Sequence, residues 1–233
     1  MNIQHLKLYH YPLTRSARVK WLLHELVGDD FEVEKVALYE GQQYGSEFLS
    51  INPNHNVPVL EITWDSGQRQ HMLESAAMVA FLADAYAAKG LAPSPGASPA
   101  RADYLQMLHF GSTWMDMMLW QVRIHEHVLP QDERDPRTIA RYRKKLADEV
   151  EPQLTQRLDA TSYICGNAFT AADCVVGHSV FWARGYGMCR SETFRHYLGA
   201  LSKRPAFVSA FADAAEFSAA VPQNASLATQ FTG

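Results

Sequence analysis

A proline lodged in a β-branched run constrains this chain more than any other feature. In Asn56-Val57-Pro58-Val59-Leu60 the valines favour an extended strand. Proline has no N–H to give a sheet ladder and is excluded unless the strand is an edge or the bond is special. One apparent hairpin later, Glu74-Ser75 opens an apolar helical stretch. A helix start of that kind sets a carboxylate, a hydroxyl and free backbone N–H groups together, a cradle for a small polar ligand. The order and spacing of the two motifs point to a site that reads peptide-like backbone with a strand and a charged end with a helix terminus.

The pattern around them mixes strands and helices. Leu6, Leu8 and their neighbours read as a first strand that stops at Tyr11-Pro12. Val19, Leu22, Leu23 and Leu26 fall at helical spacing, with Ser16 as the N-cap. Phe31 to Leu38 reads as a second strand. Val57 to Ile62 and Arg69 to Leu73 read as a hairpin around Asp65-Ser66-Gly67, and Ala76 to Tyr86 as the helix after Glu74-Ser75. The order is β-α-β, then β-β-α. The proline-rich stretch Leu91 to Pro99 is a linker. Beyond it the chain reads as helix: a long one from about Arg101 to His127, another opened by Asp135-Pro136 and ended or kinked near Pro152, and a buried one behind the capping box Thr170 to Asp173. Arg204-Pro205 starts a last helix, and the tail from Ser218 is small, polar and expected to be loosely ordered.

Composition removes several function classes. The formal net charge of -4 gives no basic footprint for nucleic acid. No stretch approaches the apolar length of a membrane span, and Met1 to Leu8 lacks the signature of a signal peptide. Cys165, Cys174 and Cys189 are odd in number and make no disulfide framework, so a reducing cytoplasm is the simplest location. His125-Glu126-His127 is not read as a metal site, because residues two apart on a helix do not share a face. The basic run Arg141 to Lys145 reads as an exposed helix face.

Together these motifs resemble the cytosolic glutathione transferase family, of the theta- or nu-like bacterial type with a hydroxyl residue in the site. Asn52-Pro53 and Val57-Pro58-Val59-Leu60 resemble the stretch around the family's cis-proline; Glu74-Ser75 resembles its γ-glutamyl-binding pair, and Thr170 to Asp173 its buried capping box. The resemblance implies an α+β thioredoxin-like N-terminal domain over residues 1–89, a linker over 90–100 and an all-α C-terminal domain over 101–233. It implies glutathione as co-substrate, a homodimer with the site near the subunit interface, and addition of the glutathione thiolate to a small, mostly apolar electrophile in the interdomain cleft. Peroxide reduction and disulfide exchange start from the same thiolate. Some proteins of this fold are instead non-catalytic interaction modules that bind a protein partner and no glutathione, but here Pro58, Glu74 and Ser75 are all in place.

The N-terminal half holds no cysteine, so thiol chemistry must come from a bound thiol. A thiol with pKa about 8.5 is mostly protonated near pH 7, and lowering it by two units requires roughly 2.7 kcal/mol. A hydroxyl donating to sulfur, helped by the positive end of the first helix, can supply energy of that order. In the family the activating serine lies four residues before a helix-one arginine, and counting back from Arg18 lands on Thr14, with Ser16 second. His10 stands where other classes carry a tyrosine, with Tyr9 and Tyr11 beside it. Both hydroxyls could also merely cap the helix. The resemblance places glutathione across His55, Asn56, Val57, Pro58, Glu74 and Ser75. Asn56 replaces a frequent lysine, leaving a hydrogen bond without a charge, for which His55 or Gln43 could compensate. Tyr11, Trp114, Met115 and Met118 are the candidates for an apolar substrate pocket, although a Met and Trp stripe also suits a plain core.

Overall fold

Strand β1 (Ile3–His10) lies in the middle of a four-stranded sheet in the computed structural model of the protein, which describes residues 2–217. Helix α1 (Ser16–Val27) carries the chain to β2 (Glu32–Lys35), which runs parallel to β1, as a crossover helix must. A short helix α2 (Ser46–Ile51) precedes β3 (Val59–Trp64), which pairs antiparallel with β1 on its other side and with β4 (Arg69–Met72). Helix α3 (Ser75–Ala85) follows, and the strand order is β2-β1-β3-β4. This is the thioredoxin-like α/β arrangement expected, with Leu6 and Leu8 of β1 and the stripe Val19, Leu22, Leu23 and Leu26 of α1 all buried.

Three details differ from the sequence reading. Helix α2 was not anticipated: its six residues are too few to show a period, and Phe48 alone is buried. Strand β2 ends at Lys35, because the chain then tightens into a turn at Leu38–Glu40 closed by Gly41 in the left-handed region at φ 82°. The third concerns the C-terminal stretch. The chain divides into two compact units, one holding residues up to Leu82 and the described chain from Ala206, the other running from Ala83 to Pro205. The described residues from Ala206 on therefore join the first unit, whereas the sequence grouped all of 101–233 together. Buried Trp21 of α1 explains it: Phe207 and Phe211 meet its ring edge-on at 5.0 and 6.2 Å. The tail from Ser218 lies outside the described residues.

The second unit is helical. Helices α4 (Pro99–His109) and α5 (Asp116–Arg123) are joined through a wide turn at Phe110–Met115 and extended by another at Ile124–Val128, giving the expected long rod. Helix α6 (Pro136–Lys145) is capped by Asp135, which accepts from the Arg137 N–H at 3.0 Å. Pro152 falls in the first turn of α7 (Glu151–Ala160), where no N–H is needed, so the chain resumes helix there. Helices α8 (Ala171–Gly185), α9 (Glu192–Leu201) and α10 (Pro205–Ala210) complete the order. Gly111 lets the rod approach α8 closely: a Cβ there would lie 2.9 Å from a Val176 methyl. Among the described residues no helix is long and apolar enough to cross a membrane.

Asp173, in the first turn of α8, holds the second unit's polar interior. Its carboxylate accepts from the Thr170 N–H at 2.8 Å, the Ile164 N–H at 2.9 Å and the Tyr197 hydroxyl at 2.8 Å. Replacing it by alanine removes the acceptor for two buried donors and one part-buried one. Asp173→Ala is expected to cost about 3 kcal/mol of unfolding free energy in urea titration, with Asp173→Asn milder; a loss below about 1 kcal/mol would contradict this account.

Candidate functional site

The turn between β1 and α1 brings three polar side chains together. Leu13 takes a left-handed φ of 56°, which folds Thr14 back so that its hydroxyl donates to the Tyr11 carbonyl at 2.8 Å and lies 2.8 Å from Ser16 Oγ. The expected N-cap role of Ser16 is not what the structure shows. Arg15 occupies the cap position with helical angles, and no side chain caps the helix. Ser16 is instead the first helical residue, wholly buried, with its Oγ 2.7 Å from His10 Nδ1, 3.2 Å from the Tyr11 N–H and 3.0 Å from the Tyr11 carbonyl. His10, the last residue of β1, outcompetes the helix end for this hydroxyl.

His10 is only 1% exposed. Its Nε2 lies 3.0 Å from Asp213 Oδ2, and Lys20 of α1 binds the same oxygen at 2.6 Å. Burial pushes the His10 pKa down, with Lys20 adding to the fall and Asp213 opposing it, so the ring is neutral near pH 7. Burial works against ionised Asp213, yet hydrogen bonds from His10 and Lys20 hold its pKa at about 2. Asp213 and Lys20 were not singled out in the sequence; the pair is 193 residues apart, and nothing local marks Asp213 as more than a solvated acid.

The residues that the sequence assigned to a ligand cradle lie within the same unit. Buried Asn52 donates through Nδ2 to the Asn56 carbonyl at 2.7 Å and to Asn56 Oδ1 at 3.0 Å, and its own Oδ1 accepts from the Asn54 N–H at 3.0 Å. Asn56 thus keeps its Nδ2 donors available on an exposed loop, where His55 lies against the Tyr44 ring at 4.9 Å. The Val57–Pro58 bond is cis. Among the described residues the Val57 N–H and C=O form no hydrogen bond, while its side chain is buried with Tyr9, Tyr11 and Val59 and packed by Leu73 and Phe217. Glu74 is exposed at φ 71° and its carbonyl accepts the first bond of α3, from Met78. Ser75 is buried and accepts from Arg18 Nη1 at 3.4 Å, linking the starts of α1 and α3.

Other candidates fall elsewhere. Tyr9 turns its hydroxyl to Glu61 at 3.5 Å, and burial pushes its pKa up. Tyr11 is buried, with its hydroxyl 3.5 Å from the Glu216 carbonyl and its ring edge-on to Tyr39. Met115 and Met118 are fully buried in the helical unit, while Trp114 stays 38% exposed with the Lys145 ammonium 4.7 Å from its ring centre. Half-buried Cys165 has its thiol pushed up to about 12 by burial, and Cys189 is raised further for the same reason, so neither is a thiolate near pH 7.

The chain has relatives among known proteins. A family model described as glutathione S-transferase, N-terminal domain, matches residues 4–84. The chain is 30% identical to the disulfide-bond oxidoreductase YfcG of Escherichia coli (strain K12), over 71% of this chain and 74% of that protein. It is 28% identical to glutathione S-transferase D7 of Anopheles gambiae, over 71% of each. Among solved structures, a sphingomonad glutathione S-transferase complexed with glutathione superposes with a TM-score of 0.75 at 27% identity, covering 90% of this chain and 98% of that one.

Two stability measurements test the site's construction. At a left-handed position glycine is favoured over alanine, the reverse of their order within a helix. Glu74→Gly is therefore expected to be more stable than Glu74→Ala by about 1 kcal/mol in urea unfolding, and alanine matching glycine would refute the strained backbone. Asp213 has its folded pKa below the ordinary 3.8, at about 2, so its contribution is fully present above pH 4 and lost as pH falls through that interval. Asp213→Asn should flatten the stability profile there; an unchanged slope would show that the contacts to His10 and Lys20 are not holding the segment.

Proposed function

We propose that this chain, which belongs to the glutathione S-transferase family, binds glutathione along Val57, Glu74 and Ser75 and activates its thiol with the Thr14 hydroxyl. The observation that carries the assignment is the difference between the two hydroxyl candidates. Ser16 is wholly enclosed, while Thr14 is half-buried at the mouth of the same hydrogen-bonded corner. Thr14 can face a ligand with Ser16 behind it.

The chemistry of glutathione suits each part of the cradle. Its cysteinyl backbone needs a donor and an acceptor, which the unengaged Val57 peptide groups offer. Its γ-glutamyl end carries an ammonium, matched by the exposed Glu74 carboxylate, and a carboxylate, matched by Ser75 and the start of α3. The glycine carboxylate finds the Asn56 amide, oriented by Asn52. His55 stands on the same exposed loop and Pro58 fixes where it meets β3. The thiolate then displaces a leaving group from, or adds across a double bond of, a small apolar electrophile. Of the residues proposed for the electrophile, Trp114 keeps a partly exposed ring, while Tyr11, Met115 and Met118 are enclosed, each within its own unit.

A second reading follows from the relative named as a disulfide-bond oxidoreductase. With no cysteine before Cys165, the mixed disulfide would have to form on glutathione itself: the thiolate attacks one disulfide sulfur and expels the other as thiolate. Both reactions draw on the same activated sulfur. A homodimer in a reducing compartment belongs to the proposal, to be checked by sedimentation.

Losing a hydrogen bond to a charged group costs about 1.5–3 kcal/mol, so Thr14→Ala is expected to lower turnover by about 10- to 100-fold while glutathione affinity by calorimetry stays within about threefold of wild type. Full turnover in Thr14→Ala would refute the assignment. Glu74→Ala should abolish the calorimetric signal; no heat from the wild-type protein at millimolar glutathione would favour the interaction-module alternative.

A further inference from the structure

Behind Thr14 stands an unbroken line of polar groups: Thr14 Oγ1 to Ser16 Oγ at 2.8 Å, Ser16 Oγ to His10 Nδ1 at 2.7 Å, and His10 Nε2 to Asp213 Oδ2 at 3.0 Å. Counting hydrogens fixes the direction of its inner links. An ionised carboxylate only accepts, so His10 carries a hydrogen on Nε2 and donates it to Asp213. With the ring neutral, Nδ1 is an acceptor, and Ser16 donates to it. The one hydroxyl hydrogen of Ser16 is then committed, and its oxygen accepts from the Tyr11 N–H; the single Thr14 hydrogen has two acceptors at 2.8 Å, the Tyr11 carbonyl and Ser16 Oγ. When the Thr14 hydrogen turns from the Tyr11 carbonyl to Ser16, every donor in the line points toward His10 and Thr14 Oγ1 presents a lone pair outward.

We propose that His10 takes the proton of the thiol bound at Thr14, relayed through the Thr14 and Ser16 hydroxyls. The inference rests on the reading that Thr14 faces the glutathione sulfur. In the step, the S–H bond breaks and its proton goes to Thr14 oxygen. Thr14 passes its own proton to Ser16, Ser16 passes its own to His10 Nδ1, and an N–H bond forms. Net charge is conserved and nothing is oxidised or reduced. The hydrogen bonds from the thiol to His10 Nδ1 reverse while the one from Nε2 to Asp213 stays, so that Thr14 now donates to the thiolate and the imidazolium lies against the Asp213 carboxylate. The logic is that of a serine–histidine–aspartate triad, with two hydroxyls as conduit rather than nucleophile. His10 touches no ligand and is a positioning residue for the proton.

The charged groups around the ring are Lys20 from α1, Lys35 opposite it in the β2 register, and Asp213 and Glu216 from the C-terminal stretch, with Lys35 paired to Glu216. Burial, helped by Lys20, keeps the ring neutral at rest, and Asp213 steadies it once charged. A purely structural role would need less: the Lys20 to Asp213 ion pair already ties the C-terminal stretch to α1.

The test is calorimetry of glutathione binding near pH 7 in two buffers of different ionisation enthalpy, with thiolate absorbance recorded alongside. In wild type the thiolate band should appear while the observed heat stays the same in both buffers, because the proton remains on the protein. His10→Gln should lose about tenfold in thiolate band, one pKa unit, with glutathione affinity within about threefold; Asp213→Asn should move the same way by less. Release of one proton per glutathione from wild type, or a full band in a folded His10→Gln, would overturn the relay. Should His10→Gln not fold, the wild-type buffer comparison decides alone. Binding with no thiolate band in wild type would sink the Thr14 reading itself, and the relay with it.

Discussion

The Ser16 hydroxyl has one hydrogen and four polar neighbours within 3.2 Å: His10, Thr14, and the N–H and C=O of Tyr11. That shortage organises the corner between β1 and α1. Each buried partner must settle on donating or accepting, and an unmatched one costs about 1–3 kcal/mol. Asp213 resolves it by fixing which nitrogen of His10 carries the hydrogen. The choice at Asp213 therefore decides what Ser16 donates to, directly behind Thr14.

The same constraint ties the C-terminal stretch to the first unit. Phe207 and Phe211 anchor it on Trp21, which brings Asp213 over His10 and Phe217 against the apolar cluster beneath Val57. Hydrophobic contact supplies attachment and the ion pair with Lys20 supplies register. A segment that sequence alone groups with the helical half thus completes the polar interior of the α/β half.

What was legible in the sequence was whatever local physics dictates. Pro58 declares the end of a ladder, Glu74-Ser75 a helix start, and Thr170 to Asp173 a cap, because each depends on backbone groups a few residues away. The β-α-β then β-β-α order and the long rod were readable from periodicity. Helix α2 was too short to show one. Ser16 was read as a cap because a hydroxyl before an apolar helix usually is one; His10, six residues earlier but adjacent across the turn, takes it instead. Asp213 could not be found at all, since it meets His10 from 203 residues away. Met115 and Met118 show the limit from the other side, as pocket and core demand the same residue types.

The central claim is that Thr14 meets the glutathione sulfur, and a crystal structure of the protein with glutathione tests it most directly. The account predicts the sulfur within hydrogen-bonding reach of Thr14 Oγ1, the cysteinyl backbone paired with Val57 and the γ-glutamyl end at Glu74 and Ser75. A sulfur lying against Tyr9 or Tyr11, or glutathione seated away from this cradle, would contradict it.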